Sequence, residues 1–225
     1  GGGAVYQDEG NLNYALIVPR AGYRMESVLE AVADAFSRHG VPVEVAMTNS
    51  LFVNGKKFSG HAFCYQKAHV LHHGTLLLEA DLRHLKASLS LRVPSFETHA
   101  VQSRPASVIN LKDYKSDLQP EHLMEWVHGA CLTFFKEPKS IFEPVTTDFQ
   151  GLEHEGEYRS RDWIWGRTPF FTARGRWDGQ DVLLSVRFGR IEGIEMTAGG
   201  ALAEHPMIGR PFEDPKVQTM VVEAP

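Results

Sequence analysis

Residues 54 to 63 read NGKKFSGHAF and set two lysines side by side, between a turn pair and a small run containing a glycine. If the segment after Asn54-Gly55 is a strand, its side chains alternate between two faces. Lys57, Ser59, His61 and Phe63 then share one face. Lys56, Phe58, Gly60, Ala62 and Cys64 share the other, unless Gly60 forms a bulge that resets the phase. Only one lysine of the pair can reach a given pocket. A single lysine is ordinarily a solvated surface group. Near a glycine, where backbone can approach a ligand closely, a buried ammonium can instead hold a carboxylate or a phosphate. The opening GGGA offers a second anion-handling element, because glycines let successive N–H groups point into one concavity. Glycine runs also occur as flexible tags, so this element is weak alone.

Other reactive side chains point elsewhere. His72 and His73 are adjacent, so in a strand their rings face opposite ways, with one expected at the surface. That spacing suits no shared metal, and no Cys/His cluster has zinc spacing. The metal ligands, if there are any, stay unknown. There is no GxSxG and no P-loop. Cys64 could be a thioester nucleophile, but alternation puts it on the face away from Lys57. Cys131 sits on an apolar helix face and reads as packing. The aromatic run from Trp163 to Phe171 reads as core.

The elements that must position these groups follow from pattern. AVYQD and NYALIVP read as two strands joined at Glu9-Gly10-Asn11. SVLEAVADAFSRHG is a helix, with Ser27 and Glu30 as a capping box and Gly40 as its stop. Val28, Val32 and Phe36 recur at helical spacing, with Leu29 and Ala33 beside them, and pack on a sheet. VEVAM is a strand. Asn54-Gly55 predicts a tight hairpin between LFV and the lysine segment. KFSGHAFCY and VLHHGTLLLEA form a further strand pair, and Asp81 caps a short helix, LRHLKASL. From Arg92 to Asn110 the pattern is lost, and the segment reads as a long loop. QPEHLMEWVHGACLTFFK is a helix starting near Pro120, with Leu123, Met124, Val127, Cys131, Phe134 and Phe135 on its apolar face. FTARGRW and VLLSVRFG form a hairpin turned at Asp178-Gly179, and IEGIEMTA is another strand. Many strands with a few covering helices give an α+β architecture of mixed sheets and flanking helices.

Bulk composition narrows the function classes. The chain has 225 residues, a net charge of -5 and 43% hydrophobic residues, enough for a sizeable core. No apolar run approaches the roughly 20 residues a membrane helix needs, and no basic stripe suggests nucleic acid. The two cysteines make no disulfide framework, so a cytoplasmic setting or an organelle matrix is the expectation. Three glycines ahead of a strand suggest that the sequence begins within a loop.

Taken in order, GGGAVYQDEGNLNYAL, TNSLFVNGKKFSGHAF, LHHGTLLLEADL, SVINL and WIWGRTPFF resemble the lipoate–protein ligase A family over nearly the whole chain. The resemblance implies the α+β catalytic-domain fold of biotin and lipoate protein ligases, distantly like class II aminoacyl-tRNA synthetases. It implies a catalytic domain over residues 1–200, truncated at its N-terminus, and over 201–225 the start of a short or truncated accessory segment. By position, Lys57 matches the lysine that binds the lipoyl carboxylate or the bridging acyl-phosphate oxygen. Gly2, Gly3, Ala4 and Val5 match the glycine-rich loop over the lipoyl-adenylate, and Asn11 and Asn49 its polar contacts. Ser59, Gly60, Ala62, His73 and Thr75 match segments lining the same pocket. The implied reaction uses ATP, Mg²⁺ and lipoate, and its partners are lipoyl-domain proteins: the E2 subunits of 2-oxoacid dehydrogenases and the glycine-cleavage H protein. Several positions depart from the family. Ser50 follows Asn49 where an aspartate is usual, Cys64 stands where many ligases have an arginine, and the long loop lacks the ligases' Lys-Gly pattern and looks more like that of mitochondrial lipoyltransferases. Transfer from a pre-activated lipoyl or octanoyl donor, without an ATP step, and non-catalytic lipoyl binding therefore stand as alternatives.

Overall fold

A computed structural model of the chain describes residues 4–46, 49–89, 96–98, 106–135, 154–197, 199–202 and 204–221. The chain divides into two compact units, Gly1–Ser90 with Gln102–Pro144, and Leu91–Val101 with Val145–Pro225.

The first unit is built on a five-stranded antiparallel sheet. Its strands are β1 (Asn11–Pro19), β2 (Glu44–Ala46), β3 (Ser50–Val53), β4 (Lys56–Tyr65) and β5 (His69–Leu77), in the order β1-β5-β4-β3-β2. One face of the sheet is covered by α1 (Met25–Arg38) and α4 (Pro120–Phe135). Val28, Leu29, Val32, Ala33 and Phe36 are buried on α1, as the spacing predicts. The Phe36 ring meets Phe58 of β4 and Trp126 of α4, with ring centroids 5.7 and 5.2 Å away. The buried stripe of α4 is Leu123, Trp126, Val127 and Ala130, whereas Met124 is exposed. The large indole against Phe36 sets the rotation of this helix. Two short helices, α2 (Leu82–Leu89) and α3 (Leu111–Tyr114), complete the unit. Asp81 does cap α2, its Oδ1 accepting from the N–H groups of Arg83 and His84.

Some expectations are corrected. Residues 4–8 form no strand; Asp8 ties its carboxylate to the Gly10 and Asp81 N–H groups instead, at 2.8 and 2.7 Å. Helix α1 starts at Met25 after an Arg24 cap residue that makes no side-chain cap bond, so Ser27 lies inside the first turn. Met25, its first residue, packs against the core. Gly40, at φ +82°, does end the helix. Asn54 and Gly55 have φ +50° and +69°, the left-handed pair that a two-residue hairpin turn requires.

The second unit holds the antiparallel sheet β6 (Phe96–Thr98), β7 (Phe171–Trp177), β8 (Gln180–Arg187) and β9 (Arg190–Met196), in that order. Strand β6 falls inside the stretch expected to be a continuous loop, because it pairs with the edge of β7. Asp178-Gly179 turns β7 into β8, and Phe188-Gly189 makes a second left-handed turn into β9 that its sequence does not announce. The helices are α5 (Glu155–Tyr158), α6 (Arg161–Trp165) and α7 (Pro215–Gln218). In the run from Trp163 to Phe171 only Phe171 is buried among the large apolar side chains; Trp163, Ile164 and Phe170 are exposed. Helix α6 is held by polar contacts, Arg161 donating to the Gly189 carbonyl at 2.6 Å and pairing with Glu213. Residues 204–221 do not stand apart: Met207, Phe212, Val217 and Met220 are buried in one core with β7–β9.

Candidate active site

Strand β4 is where the site begins, and its register decides what faces what. Lys57 pairs with Phe52 of β3 and Ser59 with the preceding Leu51, so Phe58 is an extra residue on β4. This β-bulge, one residue past Lys57, changes the phase of the strand. Lys57 therefore lies on the face of Gly60 and Ala62, not on that of Ser59 and His61. A Cβ built on Gly60 would sit 3.1 Å from Lys57 Nζ and 3.2 Å from its Cε. The ammonium thus lies directly over Gly60, in space that any other residue would narrow. Lys56 is exposed at the hairpin end.

Antiparallel partners project to the same face. Gly60 opposes Thr75, and Thr75 opposes Asn13; Ala62 opposes His73, and His73 opposes Ala15. Asn11, two residues before Asn13, belongs to the same face. Lys57, Gly60, Ala62, His73, Thr75 and Asn11 therefore gather on the sheet face opposite the helices, all half-buried. Asn11 brings a buried Nδ2 with no partner among the described residues, a donor unspent by the fold. Asn49 stands one residue before Ser50, the β3 partner of Gly60, and adopts φ +56°. Ala4 and Val5 lie exposed in the irregular lead to β1. Gly2 and Gly3 lie outside the described residues.

Ser59 is on the other face. It is buried, and its hydroxyl lies 3.3 Å from His61 Nε2. The bulge has the converse effect on Cys64, which falls on the parity of Gly60 and Ala62 but is exposed at the far end of β4. His72 and His73 do face opposite ways, yet neither is exposed: His72 is fully buried and His73 half-buried. Cys131 packs at the margin of the first core, and burial pushes its thiol up to about 11.

The segment containing SVINL fixes the backbone of Lys57. The Lys57 N–H donates to the Ser107 carbonyl at 2.8 Å, and the Ile109 N–H to the Lys57 carbonyl at 3.0 Å, a parallel bridge centred on Val108. Strand β5 pairs with β4 only from Ser59 onward, so this segment takes its place beside Lys57. Asn110 locks the segment down. Its side chain accepts from the Ala80 N–H and donates to the Ala80 carbonyl, both at 2.9 Å. The same 78–81 turn presses on Gly10, where a Cβ would lie 2.2 Å from the Glu79 carbonyl. In the sequence only SVINL hints at this dock, and only the glycine at position 60 hints at the bulge, which falls at Phe58 instead.

Burial lowers the Lys57 ammonium from its ordinary range. Its Nζ has no hydrogen-bond or ion-pair partner among the described residues. A partly desolvated cation without a counter-charge favours an incoming anion, which restores the protonated form on binding. Among the described residues no group of three or more His, Cys, Asp or Glu could hold a metal.

A half-buried ammonium thus lies over a glycine on an antiparallel sheet whose other face is backed by helices, in an α+β domain. The chain belongs to the lipoyl protein ligase A/B catalytic domain family, whose sequence profile matches residues 1–132. It is 27% identical over 83% of its length to lipoate-protein ligase A of Psychrobacter cryohalolentis, and 28% identical over 85% to the lipoate-protein ligase LplJ of Bacillus subtilis. It spans 59% and 61% of those relatives, about three-fifths of their length. The crystal structure of P. falciparum LipL1 in complex with lipoate has the same fold. That match has a TM-score of 0.56 at 22% identity, covering 87% of this chain and 59% of the other.

Proposed function

We propose that the chain is the catalytic domain of a lipoate–protein ligase, which joins lipoate to AMP and passes the acyl group to a lysine of a lipoyl domain. The observation that supports this most directly is the Lys57 ammonium, half-buried over Gly60 with no counter-charge among the described residues. In the first step a lipoate carboxylate oxygen attacks the α-phosphate of ATP, and pyrophosphate leaves. Negative charge gathers between the two reacting groups, where a fixed ammonium stabilises it. In the second step a lysine amine of the acceptor attacks the anhydride carbonyl, a C–N bond forms, and AMP leaves. Holding amine and anhydride together supplies most of this step. The acceptors are lipoyl-domain proteins, the E2 subunits of 2-oxoacid dehydrogenases and the glycine-cleavage H protein. The two free cysteines suit a reducing compartment, the cytoplasm or an organelle matrix. No helix among the described residues is long and apolar enough to cross a membrane. Mg²⁺ normally accompanies ATP, held largely by the phosphates and water, and no step here depends on a particular residue for it.

A second reading, transfer from a pre-activated lipoyl or octanoyl donor, is favoured by one observation. Ser50 is neutral and buried where the family usually has an aspartate. Retention of Lys57 argues against a third, purely lipoyl-binding role. Incubating the protein with lipoate and acceptor, with and without ATP and Mg²⁺, and weighing the acceptor by mass spectrometry separates these readings. Modification that requires ATP supports the ligase. Modification from supplied lipoyl-adenylate alone supports the transferase, and none from either donor supports the binding role. Lys57→Ala should lower the rate about a hundredfold without shifting Tm; an undiminished rate would remove Lys57 from the chemistry.

A further inference from the structure

Behind the candidate site, on the helix-covered face of the same sheet, lies a half-buried polar group that the proposed chemistry does not use. His61 opposes Gly74, and Gly74 opposes Tyr14. A Cβ on Gly74 would lie 2.5 Å from His61 Cδ2 and 2.8 Å from Tyr14 Cε1, so the glycine makes room for both rings. The Tyr14 hydroxyl is 2.6 Å from His61 Nε2. His61 Nδ1 is 3.1 Å from the carbonyl oxygen of Asn49, and the His61 N–H donates to that same oxygen at 3.1 Å.

One proton arrangement satisfies the contacts to Asn49 and to Tyr14, the Ser59 hydroxyl lying farther from Nε2 at 3.3 Å. A carbonyl only accepts, so Nδ1 must carry the hydrogen, and Nε2 is then the acceptor for the Tyr14 hydroxyl. Burial keeps Tyr14 a phenol, able to donate. Burial also pushes His61 down to about 3, holding the ring neutral. The ionisable groups around the ring are Tyr14 of β1, His72 and His73 of β5 and Lys57 of β4, with Tyr23 and Cys131 beyond Tyr14. None is a carboxylate that would favour the imidazolium. The oxygen held in this way belongs to a residue at φ +56°, a left-handed conformation that residues other than glycine seldom adopt, asparagine more readily than most.

We infer that His61, braced by Tyr14 from the core side, is a positioning residue that holds Asn49 in its left-handed turn and so preorganises the acyl-adenylate pocket beside Gly60. This rests on the ligase reading above, in which Asn49 is a polar contact of the adenylate. His61 touches no substrate; it acts through the Asn49 backbone.

The test titrates a non-hydrolysable lipoyl-adenylate analogue, with a sulfamoyl bridge in place of the phosphate, into the full chain and its variants by calorimetry. His61→Phe, Tyr14→Phe and Asn49→Ala should each weaken binding about tenfold, the size of one net hydrogen bond. His61→Phe combined with Asn49→Ala should lose no more than the worse single variant. Binding unchanged in His61→Phe, or losses that multiply in the double variant, overturns the proposal while leaving the ligase reading intact. If His61→Phe does not fold, Tyr14→Phe, which removes one oxygen, carries the same two outcomes. Wild-type protein that binds no analogue overturns both readings. An independent readout is the His61 ring by ¹⁵N NMR between pH 5 and 8. A neutral ring protonated at Nδ1 is expected throughout, and an Nε2-protonated ring breaks the link to Asn49.

Discussion

At the scale of single residues, two glycines on opposite faces of one sheet do comparable work. Gly60 leaves room for a lysine, and Gly74 for a tyrosine and a histidine. They differ in what an added methyl would meet. Over Gly60 it meets the flexible end of Lys57, which can swing aside. At Gly74 it meets two half-buried rings at 2.5–2.8 Å, tied to each other, with His61 also tied to Asn49. Gly74→Ala should therefore destabilise by about 1–3 kcal/mol, read as a lower urea midpoint; an unchanged midpoint would mean that the rings can repack. The same cluster predicts an acid response. Burial pushes His61 to about 3 and His72 to about 4, and lowers His205 in the second unit. Below about pH 6.5 the unfolded chain binds protons that the folded chain does not. The stability these groups contribute is then complete above that pH and falls as pH drops toward 4, by at most about 1.4 kcal/mol per pH unit for His61 and for His72. Asp8, Asp81 and Asp214 are held low by hydrogen bonds, chiefly from backbone N–H groups, and lose their contribution only below the ordinary carboxylate range. The interval from pH 6.5 to 5 thus isolates the histidines. Urea unfolding across it should show a steep slope in the native chain and a shallower one in His61→Phe; a flat native profile would refute the assignment.

At the scale of elements, the sequence was legible where local chemistry decides the outcome. Asn54-Gly55 and Asp178-Gly179 mark their turns because few residues tolerate positive φ. The apolar spacing of α1 marks its buried face, and Asp81 marks the start of α2. The sequence was opaque where the outcome belongs to a partner strand. The bulge at Phe58 is a property of how β4 meets β3, and within KKFSG only Gly60 hints that alternation could break, without saying where. One extra residue there moves Ser59 away from Lys57 and brings Gly60 and Ala62 to it. Strand β6 and the 107–109 dock were hidden for the same reason, as were the exposed aromatics around Trp163. Of the site, Lys57, Gly60, Ala62, His73, Thr75 and Asn11 could be named by resemblance, whereas His61 and Tyr14 could not. The dock makes a prediction of its own. Asn110→Ala would leave the Ala80 N–H and carbonyl buried without partners and release the segment that holds the Lys57 backbone. We expect a loss of about 2–4 kcal/mol together with reduced ligation. Full ligation at temperatures well below the lowered Tm would separate the dock from the site.

At the scale of the whole molecule, the chain forms two cores, each assembled from segments distant in sequence. The first joins α1, the β1–β5 sheet and α4 around Phe36, Phe58 and Trp126. The second joins β7–β9 to the tail through Met207, Phe212, Val217 and Met220. The tail is also stitched by backbone: the Arg176 N–H donates to the Met220 carbonyl at 2.7 Å, and the Ile191 N–H to the Arg210 carbonyl at 2.9 Å. Four buried apolar side chains contribute about 6–12 kcal/mol, comparable to the entire 5–15 kcal/mol by which a domain is ordinarily stable. A sheet stripped of that cover would expose the inner side chains Ala173, Val182, Leu184 and Ile194 to water. Ending the chain at residue 203 should therefore unfold the second unit and leave the first, whose core among the described residues contains none beyond Cys131. Hydrogen exchange read by mass spectrometry distinguishes the two. Amides of β7–β9 should exchange at once in the shortened chain, while those of β4 and β5 keep their native protection. Retained protection in β7–β9 would show that this sheet is stable without its tail, and loss of protection in β4 and β5 as well would show that the first core depends on the second.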